Sequence, residues 1–500
     1  MVVVVAAAMA AASLCCGVAA YLYYVLWLAP ERLRAHLRRQ GIGGPIPSFP
    51  YGNLADMRSH AAAAAAGKAT GEGRQEGAIV HDYRQAVFPF YENWRKQYVG
   101  NMVFLHVSRP DIVRELSLCV SLDLGKSSYM KATHQPLFGE GILKSNGNAW
   151  AHQRKLIAPE FFPDKVKGMV DLMVDSAQVL VSSWEDRIDR SGGNALDLMI
   201  DDDIRAYSAD VISRTCFGSS YVKGKQIFDM IRELQKTVST KKQNLLAEMT
   251  GLSFLFPTAS GRAAWRLNGR VRALILDLVG ENGEEDGDNL LSAMLRSARG
   301  GGSGGGEVAA AAEDFVVDNC KNIYFAGYES TAAACCGGGR APDFPALQKM
   351  KNLTMVIQET LRLYPAGAVV SRQALRELSL GGVRVPRGVN IYVPVSTLHL
   401  DAELWGGAGA AGFDPARFAD ARPPLHAYLP FGAGARTCLG QTFAMAELKV
   451  LLSLVLCRFE VALSPEYVHS PAHKLIVEAE HGVRLVLKKV RSNCNWAGFD

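Results

Sequence analysis

Residues 431–440 read Phe431-Gly432-Ala433-Gly434-Ala435-Arg436-Thr437-Cys438-Leu439-Gly440, and the reading of the whole chain turns on that cysteine. The residues near Cys438 are mostly small, so backbone N–H groups can approach the sulfur and donate to a thiolate. Gln441–Leu456, directly after it, has the composition and spacing of a long apolar helix. A cysteine at a helix N-terminus sits at the positive end of the dipole, which is expected to lower its pKa. Arg436, two residues before it, is placed to clamp an acidic group at the same site.

Working outward, four more motifs precede this loop in the chain. Pro415-Ala416-Arg417-Phe418 comes shortly before it, and Glu359-Thr360-Leu361-Arg362 sets an acid and a base at i, i+3 on one helix face. Ala326-Gly327-Tyr328-Glu329-Ser330-Thr331 is a small pair followed by an acid and alcohols, and Trp150-Ala151-His152-Gln153-Arg154 lies furthest upstream. Together with Phe-x-x-Gly-x-Arg-x-Cys-x-Gly, this ordered set resembles the cytochromes P450 over about residues 45–490.

The resemblance implies a mainly α fold with small β-sheets, behind an N-terminal transmembrane helix. It implies haem b (iron protoporphyrin IX) with Cys438 as axial thiolate, a ligand that pushes electron density onto iron and favours oxygen–oxygen cleavage. Phe431 would border the cofactor, and Trp150, Arg154, Arg372 and Arg436 would hold its propionates. Glu359, Arg362 and Arg417 would brace the core structurally. Gly327 would leave room for dioxygen, and Glu329 with Ser330 or Thr331 would deliver protons. The position after the acid is usually Thr in the family; Ser330 keeps a donor and an acceptor there. Residues 102–162 and 347–372 look like plant microsomal members that modify gibberellins, most of all those that epoxidise the 16,17 alkene. That likeness implies oxidation of a diterpenoid acid and deactivation of a hormone, with Ala366–Val370 as an apolar wall over the haem.

Two stretches depart from the family pattern. After Thr331 the chain reaches Gly337-Gly338-Gly339-Arg340-Ala341-Pro342, and the separation from Glu359 is about half the usual. The end of one helix and the whole of the next are expected to be absent. Trp94–Asn101 runs directly into Met102–Val107, so the first hairpin is expected to lack a member. The haem domain, residues 53–490, is thus shortened near 98–102 and 332–346, and a poorly folding variant without activity is the alternative reading.

Composition bounds the rest. The 500 residues are 49% hydrophobic and 21% charged, an ordinary globular balance. Net charge is only +5, and residues 31–40 carry four Arg and one Glu, which leaves no extended basic face for nucleic acid. Val2 to Ala29 holds no charged side chain, and a helix of that length would reach about 42 Å, more than the ~30 Å hydrocarbon core. Arg32, Arg34, Arg38 and Arg39 follow it, and Tyr21, Tyr23, Tyr24 and Trp27 fit an interfacial belt. Residues 1–29 therefore read as a single-pass signal anchor in the lipid bilayer of the endoplasmic reticulum, with the catalytic domain cytosolic. Residues 30–52 read as a basic, Pro-rich connector and 491–500 as a tail. In a reducing cytosol most of the ten cysteines should be free thiols.

Helical periodicity is expected over Asp82–Tyr98, Val166–Asp189 and Ile227–Met249, strands around Leu378–Val385 and Asn390–Val395, and a surface insertion over 61–77. No Gly-x-Gly-x-x-G opens a strand–helix unit, so electrons from NADPH would arrive through a separate NADPH–cytochrome P450 reductase. A haem-thiolate isomerase or dehydratase would tend to lack the acid–alcohol pair that Glu329 and Ser330 supply.

Overall fold

Helix Val2–Tyr23 holds no charged residue, and it continues through a π-turn at Tyr24–Leu28 into Ala29–Arg38. Pro30 has no N–H for the ladder, and the π-turn just before it absorbs the irregularity. The first part of the connector expected over 30–52 is helical, to Arg38, with Glu31 and Arg34 paired at 2.8 Å. One helix, Val3–Arg38, is long and apolar enough to cross a membrane, and none of its most apolar stretch is buried. Its basic end docks on the body of the protein. Leu37 is fully buried against Val385, Val389 and Ile391, and the Gln40 amide exchanges two 2.8 Å hydrogen bonds with the Arg384 backbone.

The computed structural model describes residues 2–49, 53, 59, 79, 81–88, 98–99, 103–119, 123–218, 221–239, 258–282, 289–300, 306–331, 344–419, 424 and 426–490. The expected insertion over 61–77 lies outside them, as do 301–305 of the glycine run and the 332–343 part of the shortened segment. Among the described residues the fold is mainly helical with small sheets. Helix Pro163–Arg190 opens with Pro at its first turn, and Val166, Met169, Val170, Met173, Ala177, Leu180 and Trp184 recur at three- and four-residue spacing. It packs on Gln441–Arg458, whose buried residues run almost all round it, and on Asp201–Phe217. Each such large apolar side chain contributes roughly 1.5–3 kcal/mol on burial.

Expectations for local structure hold unevenly. Tyr221–Ser239 is helical where Ile227–Met249 was expected, the remainder lying outside the described residues. Over Asp82–Tyr98 the described helix is only Arg84–Val87. Leu378–Leu380 and Val383–Val385 form a hairpin. Asn390–Pro394 is central in a five-stranded sheet, parallel to Phe104–His106 and antiparallel to Val369–Ala374, with Leu124–Gly125 at one edge. The first hairpin has both members: Tyr98–Val99 pairs with Phe104–Leu105, so the expected loss of one is corrected to a strand of two residues. Cys15, Cys16, Cys119, Cys216, Cys320 and Cys438 are free thiols, in keeping with the expectation that most of the cysteines are.

Candidate active site

The loop before helix Gln441–Arg458 is closed on itself. The Cys438 N–H donates to the Phe431 carbonyl at 2.9 Å, and the Thr437 N–H and hydroxyl both donate to Gly434. Gly434 has φ +73°, and a Cβ there would stand 2.4 Å from the Ser117 carbonyl oxygen, so only glycine fits. Cys438 keeps an exposed face although protein crowds its sulfur on most sides. Burial raises its pKa, offset in part by the Gly440 N–H and the charge of Arg154. The lowered value expected from the helix dipole is therefore corrected: loss of solvation outweighs the amide and the guanidinium together.

Behind the loop stands the brace. Glu359 and Arg362 are both fully buried and form a fork with two 2.7 Å contacts. Arg362 also donates to the carbonyls of His399 and Ala410 at 2.7 Å and of Gly412 at 3.1 Å. Arg417 reaches Glu359 at 3.5 Å and donates to the Trp405 carbonyl at 2.6 Å. His399 then connects brace and loop, a link that reading the sequence missed. Its Nδ1–H donates to the Arg362 carbonyl at 3.0 Å and its Nε2 accepts the Leu429 N–H at 2.7 Å. Burial pushes its pKa down to about 3, so the ring is neutral and this tautomer satisfies both bonds.

On the other side of the loop, positive charge gathers without acids. Arg436 stacks over Trp150 at 4.3 Å and donates to the Ser145 carbonyl and to Asn146 Oδ1. Arg154 donates to the Thr437 carbonyl at 3.0 Å, and Arg372 donates to the carbonyl of its neighbour Ser371. Burial lowers Arg372 and Arg436 to about 10, and Arg372 and Arg154 add repulsion at Arg436. Lys126 is pushed down to about 7 by burial and then by Arg372, Arg436 and Lys144. Among the described residues no carboxylate lies in ion-pair range of these side chains. Buried cations so arranged call for an anion. A haem with two propionates beside an axial thiolate fits this donor set.

The distal candidates lie on helix Gly306–Thr331. Its backbone is helical through Glu329, Ser330 and Thr331, whose side chains lie outside the described residues. Gly327 has a packing reason of its own: a Cβ there would stand 2.3 Å from Ile212 Cδ1 of the neighbouring helix. Further up the same helix, Asn319 and Asn322 accept the N–H groups of Ile142 and Leu143, and Asp318 accepts that of Glu140.

A family model described as Cytochrome P450 matches residues 70–338 and 333–484. The chain belongs to the cytochrome P450 family. As a P450 it is a haem-thiolate monooxygenase supplied with electrons by a partner reductase. It is 92% identical over 534 aligned positions to Cytochrome P450 714B1 of Oryza sativa subsp. japonica, with 100% of both chains covered. It is 62% identical to Cytochrome P450 714B3 of Zea mays, over 97% of each chain. It is 38% identical to Cytochrome P450 714A2 of Arabidopsis thaliana, over 90% of this chain and 92% of that one. The alignment with the rice P450 is longer than the 500 residues of this chain, and the two family matches meet at 333–338.

Proposed function

We propose that this P450 oxidises a gibberellin-type diterpenoid acid, by epoxidation or hydroxylation, and so deactivates a hormone. The observation that carries the haem assignment is the charge beside Cys438: a thiol with an exposed face next to Arg154, which with Arg372 and the Trp150-stacked Arg436 forms a group of cations that no acid pairs among the described residues. The substrate class is supported by the likeness of residues 102–162 and 347–372 to gibberellin-modifying P450s. Haem b, when bound, supplies the iron at which dioxygen is activated with electrons from NADPH. Cys438 would hold the iron through its sulfur, with the Gly440 N–H donating to it, and Phe431, whose ring packs against the core, anchors the Cys438 N–H through its carbonyl. Arg154, Arg372, Arg436 and Trp150 orient the propionates. Glu329 with Ser330 or Thr331 passes protons to the reacting oxygen. Ala366–Val370 forms the apolar wall; Ala368 within it is buried beside Tyr83, Phe88 and Val477. The chain works on the endoplasmic reticulum membrane, its body cytosolic beside the reductase.

The test is the full chain in reductase-containing membranes, with carbon monoxide difference spectra and NADPH-dependent turnover of gibberellins followed by mass spectrometry. An oxygenated gibberellin supports the reading; a thiolate-haem spectrum with no gibberellin product refutes the substrate class. Glu329→Gln with Ser330→Ala should raise hydrogen peroxide released per NADPH, and unchanged coupling removes both from the relay. A second reading, a shortened P450 variant without activity, is favoured by the family matches meeting at 333–338. Absence of any thiolate-haem band would select it.

A further inference from the structure

Lys144 has no use in the machinery described so far. It is 2% exposed, its Nζ has no hydrogen-bond partner among the described residues, and its nearest recorded contact is the Phe138 ring at 5.4 Å. Nearby acids are committed elsewhere. Glu140 pairs with Lys131 at 2.7 Å, and Asp318 pairs with Lys321 at 2.8 Å while accepting the Glu140 N–H. Burial, then Lys131, press its pKa down to about 7 against the pull of Glu140. An uncompensated buried ammonium is costly to keep unless something pairs with it.

Its position says what that partner is. Leu143, one residue before, is held by Asn322 on the distal helix, one turn ahead of Ala326-Gly327. Phe138, under the ammonium, packs edge-on against Phe325 at 4.9 Å. Ser145 and Asn146, immediately after, are gripped by Arg436 from the Cys438 loop. Lys144 therefore stands where the distal helix and the cysteine loop are joined through one short segment. Arg154, Arg372 and Arg436, with Lys126 close to the last two, already answer the two propionates of a haem, which leaves Lys144 over.

We propose that Lys144 is the anchor for a carboxylate on the substrate, holding an otherwise apolar acid by one ion pair at the distal edge of the site. The inference rests on the diterpenoid-acid reading above and supplies the residue that distinguishes an acid from a neutral terpenoid. The same ammonium would also suit a haem propionate, so the test separates the two carboxylates.

The full chain, loaded with haem, is titrated with a gibberellin lacking ring hydroxyls, as free acid and as methyl ester, and with abietic acid and its ester. The substrate-induced Soret shift gives each Kd. In Lys144→Met the acid should bind about tenfold or more weakly, as loss of a charge-assisted hydrogen bond implies, with the ester unchanged. Lys144→Arg should keep most of the acid affinity. Equal weakening of acid and ester, or an unchanged acid, overturns the proposal. Faster haem loss from Lys144→Met with unaltered acid-over-ester preference assigns the residue to a propionate and also overturns it. If only the abietic pair shifts the spectrum, with the same dependence on Lys144, the gibberellin reading falls and the anchor stands. Silence of both acids on haem-loaded protein overturns the anchor.

Discussion

Two groups of arginines flank the Cys438 loop, Arg362 and Arg372 buried and Arg436 half-buried, and they are solved in opposite ways. Arg362 meets the forked Glu359 carboxylate and three backbone carbonyls, so its charge and its donors are satisfied within the chain. Arg372 and Arg436 find only carbonyls, an amide oxygen and an aromatic face. The first arrangement is complete as folded and serves structure. The second is electrostatically unfinished and becomes favourable only when an anion enters. Burial alone does not separate a structural cation from a binding one; the presence of an acid does.

The largest effect should come from the group both sides serve. Cys438→Ala is expected to abolish the carbon monoxide band of thiolate-ligated haem and all NADPH-dependent oxidation while leaving the secondary structure, read by circular dichroism, in place. A retained band would place the axial ligand elsewhere.

The comparison itself is broken or kept by a pair of variants. Arg362→Met strips buried Glu359 of its forked partner and leaves it only Arg417 at 3.5 Å and the Asp414 N–H, so the loss should approach the roughly 3–5 kcal/mol of a broken buried pair, and thermal unfolding should fall sharply with or without haem. Arg372→Met removes a repelling charge from an unpaired cluster, so the haem-free chain should be as stable as before or more so, while haem dissociates faster. Equal loss of stability in the two haem-free variants would erase the distinction.

How much of this was legible beforehand follows from the range of the interactions. The Cys438 loop and the Glu359–Arg362 pair were readable because each motif is contiguous and its residue types dictate its chemistry, whereas the meeting with Arg417 came only from the family resemblance. The clamp of Asp318, Asn319 and Asn322 on residues 140–143 was not, since nothing in either segment names its partner some 180 residues away. His399 was invisible for the same reason: its two bonds go to backbone atoms of Arg362 and Leu429, which carry no sequence signal. The thiol pKa was misjudged because a local dipole can be read from sequence and burial cannot. The helix from Ala29 to Arg38 was missed because proline and positive charge read as a linker, although Leu37 docks on the sheet.

A smaller effect probes the distal helix. Gly327→Ala would drive a methyl group to 2.3 Å from Ile212, and the overpacking should cost about 1–3 kcal/mol in thermal unfolding. In an Ile212→Ala background, which removes the clashing atoms, the same Gly327→Ala change should cost much less. If the single variant keeps its stability and loses only coupling of oxygen to product, the glycine serves the oxygen and not the packing.

The smallest effect tests whether the brace side is closed to protons. His399 is held neutral, with its pKa pushed by burial from 6.5 to about 3, so the unfolded chain binds the extra proton first as pH falls. Its contribution is fully present above pH 6.5, declines below it, and is exhausted as pH passes through about 3. Between pH 7.5 and 5.5 this one group should lower stability by about 1.4 kcal/mol, read as the change in unfolding free energy. His399→Gln keeps a donor and an acceptor and should flatten that slope, whatever it does to stability at pH 7.5. An unchanged slope would mean that the ring accepts a proton in the folded state, and that the Leu429 N–H does not hold it as the link between brace and loop.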